Sequence, residues 1–261
     1  MQQDYAKQYA RLYRQHWWWR SREAAVVQTI RRVADLPNGA KILDVGCGDA
    51  LSLAMLRSLA HDAEARGIEI DANTILPNNP DRHLIYDKPL GDAIYRNMRF
   101  DLVTALDVIE HIDDDRAAIQ HMTDMLNPGG TLLITVPALP VLWTQHDEMN
   151  RHYRRYTRAG LTQLLAPFGE VLDMRYFYTA LALPKLLLAR LQRHREGHAG
   201  TPNVPPRVVN RLLQGYCRAE WSFAKRLPMP FGSSLIAAVG KPVEATSRMP
   251  LNTDDASRRA A

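Results

Sequence analysis

Cysteine, long apolar runs and charge of one sign are all scarce in this 261-residue chain, and each scarcity excludes something. The two cysteines, Cys47 and Cys217, lie too far apart for a disulfide framework or a paired zinc knuckle, so a reducing compartment, the cytoplasm, is expected. No run of about 18 apolar residues occurs, which argues against a membrane-spanning helix. The opening "MQQDYAKQYARLYRQHWWWR" has no apolar centre of the signal-peptide kind, so a soluble chain is expected. The net charge of +5, from 33 basic and 28 acidic residues, is spread along the chain and gathers in no tail, which is weak evidence for an anionic partner. With 46% hydrophobic residues the chain can bury one large core.

The pattern along the chain is an alternation of strands and helices. Residues 5–36 carry apolar and aromatic side chains at helical spacing and predict two helices joined near Trp17 to Trp19. Strands are expected at "KILDV" (41–45), "ARGIEI", "RHLIYD", "FDLVTAL" (100–106), "TLLITVP" (131–137), "EVLDMRYFYT" (170–179) and "SSLIAAVGKP" (233–242). Helices are expected at "ALSLAMLRSLA", at "DDRAAIQHMTDML" closed by "NPGG", at "TRAGLTQLLAPFG" capped by Thr157, and twice between residues 180 and 232 around the Gly/Pro-rich loop 196–207. β-branched runs without polar alternation, separated by helices, indicate a mostly parallel, doubly wound α/β sheet covered on both faces. The expected organisation is an N-terminal helical cap (1–36), an α/β domain (37–243) with a helical insertion (180–232) before its last strand, and a polar tail (244–261) without fixed structure.

"ILDVGCGDA" joins a strand, an acid at its end and a Gly46/Gly48 turn where backbone without Cβ atoms can approach a ligand closely. Leu51 breaks the spacing of a dinucleotide fingerprint and argues against NAD. Glu69, 25 residues after Asp44, ends the next strand where a carboxylate can accept both hydroxyls of a ribose. Two acids and a glycine turn suit a ligand with a ribose and a positive amino group but no pyrophosphate, which describes S-adenosylmethionine.

"ILDVGCGDA", "GIEID", "FDLVTALDVIEHI" and "LNPGGTLLITVP", in this order, resemble the class I S-adenosylmethionine-dependent methyltransferases over roughly residues 40–180. The resemblance implies a Rossmann-like seven-stranded fold and S-adenosylmethionine as cofactor. Position by position it implies that Glu69 takes the ribose hydroxyls, that Gly46 and Gly48 lie against the methionine portion, and that Asp44 holds the methionine end. It further implies that Asp87 accepts from the adenine amino group, with Asp92 as its rival, and that the Leu106 carbonyl meets the methionine ammonium. The chain departs from the family at Ala50, where a third glycine is common.

Three further stretches bear on the acceptor. "QHWWWRSRE" resembles an entry helix across the cofactor, with Arg20 first and Arg22 second as partner for the methionine carboxylate; packing of the tryptophans is the competing role. "QHDEMNRHYRRYT" (145–157) follows the carboxyl end of the fifth strand, where open α/β sheets bind ligands. His111 and His152, then His146, are the candidate bases for an acceptor hydroxyl, while Asp147, Arg154, Arg155 and Tyr156 are candidate acceptor-binding residues, the arginines suiting an anionic group. No metal is expected, since His146 and His152 are six residues apart and do not share a helical face. "RHYRR" is too short and too close to acids to predict nucleic-acid binding. Finally, the leucine-rich, basic-ended segment 180–195 suits an apolar acceptor, a peripheral membrane contact or a homodimer interface. The expected function is methyl transfer to a small or lipid-linked acceptor. An RNA methyltransferase or a non-catalytic S-adenosylmethionine-binding protein are the alternatives.

Overall fold

Strand β1 (Lys41–Val45) shows why the central strands lack polar alternation: Ile42 packs into one apolar cluster and Leu43 and Val45 into another, so neither face meets water. The computed structural model describes residues 2–192, 203–224 and 229–243. It contains β2 (Glu64–Ile68), β3 (Ile85–Tyr86), β4 (Phe100–Leu106), β5 (Leu126–Pro137), β6 (Glu170–Phe177) and β7 (Ser234–Gly240), which with β1 form one sheet in the order β3-β2-β1-β4-β5-β7-β6. Neighbours are parallel except β7, which runs antiparallel to both β5 and β6. Strand order reverses between β1 and β4, and the crevice beyond their carboxyl ends is the natural ligand position.

The helices are α1 (Gln2–Gln15), α2 (Trp17–Val33), α3 (Leu53–Arg57), α4 (Asp115–Asp124), α5 (Gln145–Met149), α6 (Arg158–Leu165), α7 (Thr179–Gln192) and α8 (Arg207–Ala224). Buried Arg22, Ala25, Val26, Thr29 and Ile30 make the inner stripe of α2 at helical spacing. One cluster joins this stripe to α3, α8 and Ile42, Leu102, Leu133 and Ile236; the other joins α4 and α6 to Leu43, Val103, Leu132 and Val239. Each large aliphatic side chain buried this way contributes roughly 1.5–3 kcal/mol. The break between α1 and α2 falls at His16, whose Nδ1 accepts from the Trp18 backbone at 3.1 Å. Asn210 of α8 spans that break, accepting from Trp17 N (2.8 Å) and donating to the Gln15 carbonyl (2.8 Å).

Three expected elements differ. The helix over "ALSLAMLRSLA" shrinks to Leu53–Arg57, because the preceding turn consumes residues through Ser52 with Gly48 and Ala50 both at positive φ. In "RHLIYD", Arg82–Leu84 forms a 3-10 turn and only Ile85 and Tyr86 pair, at the sheet edge. "NPGG" belongs to β5 rather than to a helix stop, with a register shift opposite Phe100 and Leu102 that absorbs the extra residues. The loop over 196–202, the basic end of the 180–195 segment from position 193 and the tail 244–261 lie outside the described residues.

Candidate functional site

The turn after β1 is built by backbone conformation. Gly46 and Gly48 have φ of 67° and 53°, and a Cβ on Gly46 would stand 2.6 Å from a Val108 methyl carbon. Ala50, at the family's frequent third glycine, takes the same left-handed region with φ 59°, so the methyl group is accommodated at a conformation glycine would adopt more freely. Glu69, just past β2, accepts from Gly48 N at 3.0 Å and Asp71 N at 2.8 Å, which fixes its carboxylate over the turn. Its partial burial raises its pKa against the opposing pull of those N–H groups. Asp44 is buried, and accepts from Ser52 Oγ and from Thr104 Oγ1 (2.6 Å); burial pushes its pKa up to about 6.

The N-terminal helices roof this end of the sheet. Arg22, 5% exposed, pairs with Asp107, sits 3.4 Å from the Leu106 carbonyl and lies over the Trp18 ring at 5.0 Å. Burial opposes its charge, but Asp107 outweighs that and holds it firmly protonated. The carbonyl expected to meet a ligand ammonium thus already faces a cation. Arg20 is exposed, bonds Glu23 and does not line the cavity, whereas the second candidate, Arg22, does. Trp17 and Trp18 pack on Tyr178, whose hydroxyl donates to the Trp18 carbonyl at 2.6 Å, and Trp17 to Trp19 all line the cavity.

That cavity, of about 390 Å³, lies between α1, α2, the carboxyl ends of β4 and β5, and the loop around α5. His111, His146 and His152 all line it, with Glu110, Asp107, Asn150 and Lys185. The loop is pinned: Thr144 and Asp147 form a capping box for α5, Tyr153 N donates to the Glu110 carbonyl (2.8 Å), and Tyr156 pairs with Ala138 beside β5. The His111 and His152 rings meet edge to face at 4.6 Å. His152 Nδ1 lies 3.0 Å from Asp147 Oδ1, so the carboxylate accepts from Nδ1–H. Packing around His111, then the neighbouring His152, lowers its pKa; partial burial and the Lys185 cation do the same to His146. Burial brings Lys185 down to about 8.

The acceptor-binding residues read from the sequence are engaged elsewhere. Asp147 has no exposed surface and accepts from Arg155 Nε (2.8 Å) and Nη2 (3.0 Å), while Arg155 Nη1 donates to the Ala138 carbonyl (2.9 Å). Burial works against the Asp147 charge, yet His152 and Arg155 hold its carboxyl well below the usual range. Arg154 pairs with Asp115 (3.1 Å) and Asp113 (3.4 Å), and the Tyr156 hydroxyl donates to Asp115 (2.8 Å). Arg155 touches the cavity with its charge already matched, whereas Asp147, Arg154 and Tyr156 shape the loop from behind. Asp87 is exposed beyond β3 near Arg82, and Asp92 caps a short turn by accepting from Ile94 N at 2.9 Å. Sequence reasoning missed Glu110 and Lys185. Glu110 directly precedes His111 within "DVIEHI", and Lys185 stood out only as a charge interrupting an apolar helix.

The cradle fits S-adenosylmethionine: a Cβ on Gly46 would crowd the turn, and Glu69 offers two fixed acceptor oxygens to a ribose. A seven-stranded sheet with one antiparallel strand and this turn at its switch point defines a class I S-adenosylmethionine-dependent methyltransferase fold. A model of the methyltransferase domain family matches residues 18–172, more than half of the chain, and the protein belongs to that family. An uncharacterized methyltransferase of Mycobacterium bovis is 35% identical over 107 residues, 39% of this chain and 52% of that protein. A ubiquinone biosynthesis O-methyltransferase of Shewanella is 29% identical over 97 residues, 35% of this chain and 41% of that protein. The chain thus spans about half the length of these curated relatives. Among solved structures, a chain from the complex of a Haloferax volcanii methyltransferase activator with its methyltransferase has a TM-score of 0.57 at 14% identity, covering 92% of this chain and 95% of that one. The geranyl diphosphate C-methyltransferase of Streptomyces coelicolor has a TM-score of 0.54 at 13% identity, covering 84% and 79%. Both likenesses concern the fold.

Proposed function

We propose that the protein transfers the methyl group of S-adenosylmethionine to a hydroxyl oxygen of a small, partly apolar, lipid-like acceptor held in the cavity beneath α1 and α2. The observation that carries this reading is the convergence of His111, His146 and His152 on one cavity, with the His111 and His146 rings kept neutral by their surroundings. A neutral hydroxyl is a weak nucleophile until its proton is withdrawn, and neutral imidazole accepts one near pH 7. The Shewanella relative, named as an O-methyltransferase, supports the same acceptor atom.

When bound, S-adenosylmethionine supplies a methyl carbon whose bond to sulfur breaks, its electron pair leaving on sulfur, as the acceptor oxygen bonds to it. The chain's residues align the partners and receive the hydroxyl proton at the histidine end of the cavity. Glu69 and the Gly46 to Gly48 turn hold the donor, and the roof of Trp17, Trp18 and Tyr9 excludes water. With Arg154 and Arg155 committed to carboxylates, Lys185 is the cavity cation suited to an anionic group on the acceptor.

The lipid character rests on α7 and α8. Lys185 of α7 faces the cavity while Leu183, Leu187 and Leu191 stand 62%, 61% and 58% exposed along its outer side. On α8, Val208, Leu212 and Tyr216 form a second exposed stripe at intervals of four. Such faces suit the surface of a bilayer from which an acceptor is drawn; no helix among the described residues is long and apolar enough to cross one.

An acceptor screen that follows S-adenosylhomocysteine release, with lipid extracts included, tests the function. His146→Ala is expected to lower turnover by roughly 10²–10⁴-fold while S-adenosylmethionine affinity stays intact. Parental turnover by that variant on the true acceptor overturns the reading, as does an acceptor that is RNA.

A further inference from the structure

We propose that Glu110, His111 and His152 form a binding site for a divalent transition-metal cation within the acceptor cavity. Each offers one ligand atom, and the three atoms lie within 4.8 Å of one another. Around a cation bonded at roughly 2.0–2.2 Å, ligand atoms stand about 3 Å apart, so a small side-chain adjustment closes the set.

Glu110 supplies the independent observation. Its side chain has no exposed surface, and neither carboxylate oxygen has a hydrogen-bond partner among the described residues. A buried carboxylate left this way is costly, and protonation does not remedy it, because the hydroxyl of the neutral acid also needs an acceptor. Neighbouring acids are matched: buried Asp147 by Arg155, buried Asp115 by Tyr156 and Arg154, and half-buried Asp107 by Arg22. The same arginines that could have served Glu110 are therefore occupied. A cation between Glu110 and the two imidazoles satisfies the orphaned group and leaves coordination positions open toward the cavity.

The surroundings match what a ligand histidine needs. Asp147 holds His152 by Nδ1 and directs Nε2 inward, the carboxylate–histidine relation that orients metal ligands. The two ligand-bearing segments are tied by the bond from Tyr153 N to the Glu110 carbonyl, so the set does not depend on a free loop. Two imidazoles and one carboxylate favour first-row divalent ions over magnesium or calcium. The spacing argument against a metal considered His146 with His152; folding instead brings residues 111 and 152 together and leaves His146 outside the ligand set, as the imidazole available for the acceptor's proton. This last role rests on the acceptor reading above, whereas the cation site does not.

Tag-free protein titrated with Co²⁺ tests the site through visible absorption, with calorimetry for S-adenosylmethionine run in parallel. The parent is expected to bind one equivalent with new visible bands and to melt at higher temperature with Co²⁺ present. Glu110→Gln and His111→Gln are each expected to weaken Co²⁺ binding at least tenfold and abolish the melting shift, with S-adenosylmethionine affinity unchanged. In the absence of metal, Glu110→Gln is expected to melt no lower than the parent, since it removes an unmatched buried charge. No saturable Co²⁺ binding by the parent, or parental binding by both variants, overturns the proposal. If binding behaves as expected but His146→Ala leaves methyl transfer untouched, the cation site stands and the acceptor reading fails.

Discussion

At the scale of single residues, the cofactor cradle was legible because its chemistry is local. Asp44 is the next-to-last residue of β1, Gly46 and Gly48 lie one and three positions past that strand, and Glu69 lies one past β2, so local backbone geometry aims them. Glu69→Ala removes a charged acceptor for two hydroxyls, worth roughly 1.5–3 kcal/mol, so S-adenosylmethionine affinity should fall tenfold or more in calorimetry. Parental affinity in a folded variant would remove Glu69 from the site. Asp44 carries a pH signature. Because burial raises its pKa from 3.8 to about 6 in the fold, its contribution to stability is present below 3.8 and lost as pH rises through about 6. Asp44→Asn should therefore gain on the parent across that interval in denaturant melts, by up to about 3 kcal/mol; a flat difference contradicts the assignment. Arg154, Arg155, Asp147 and Tyr156 were illegible as structural groups, since nothing in "HDEMNRHYRRY" reveals that Asp113, Asp115 and a chain reversal satisfy them. Asp147→Asn should lower stability by roughly 3–5 kcal/mol, because it leaves the buried Arg155 unmatched.

At the scale of elements, strands buried on both faces announced themselves: β1 and β4 begin at Lys41 and Phe100, where the sequence placed them, and the half-exposed edge strand β6 also begins at its expected Glu170. Helix α6 was legible through its cap: Thr157 Oγ1 accepts from Gly160 N at 3.0 Å, and Thr157→Ala should cost about 1 kcal/mol in a thermal or denaturant melt. Elements whose limits depend on distant partners were harder. α3 is short because Asp49 leaves the helical path to accept from Leu76 N and Asn79 Nδ2, both at 2.8 Å, and no local rule foretells that. The outer stripes of α7 and α8 belong to this scale as well. Leu183→Glu combined with Leu187→Glu should reduce flotation with anionic vesicles while leaving S-adenosylmethionine binding intact. If the parent does not float and sediments as a dimer that the double variant dissociates, the stripes are a protein interface and the bilayer reading is withdrawn.

At the scale of the whole molecule, one arrangement joins the parts: the switch point between β1 and β4 carries the glycine turn, the N-terminal helices roof the carboxyl ends of β4 and β5, and the loop after β5 brings three imidazoles to the cavity beneath them. The order of motifs made the fold and donor legible. The acceptor side was only partly so, because it is assembled from α2, the turn at Ile109–His111, the α5 loop and α7, four segments whose meeting is a property of the fold. The most direct test is transfer of a tritiated methyl group from S-adenosylmethionine into a lipid extract by the parent and by His146→Ala, each first shown to bind the donor equally. The account predicts label in an extractable acceptor with the parent and a loss of roughly 10²–10⁴-fold with the variant. Equal labelling by both proteins, or label confined to RNA or protein, would contradict it.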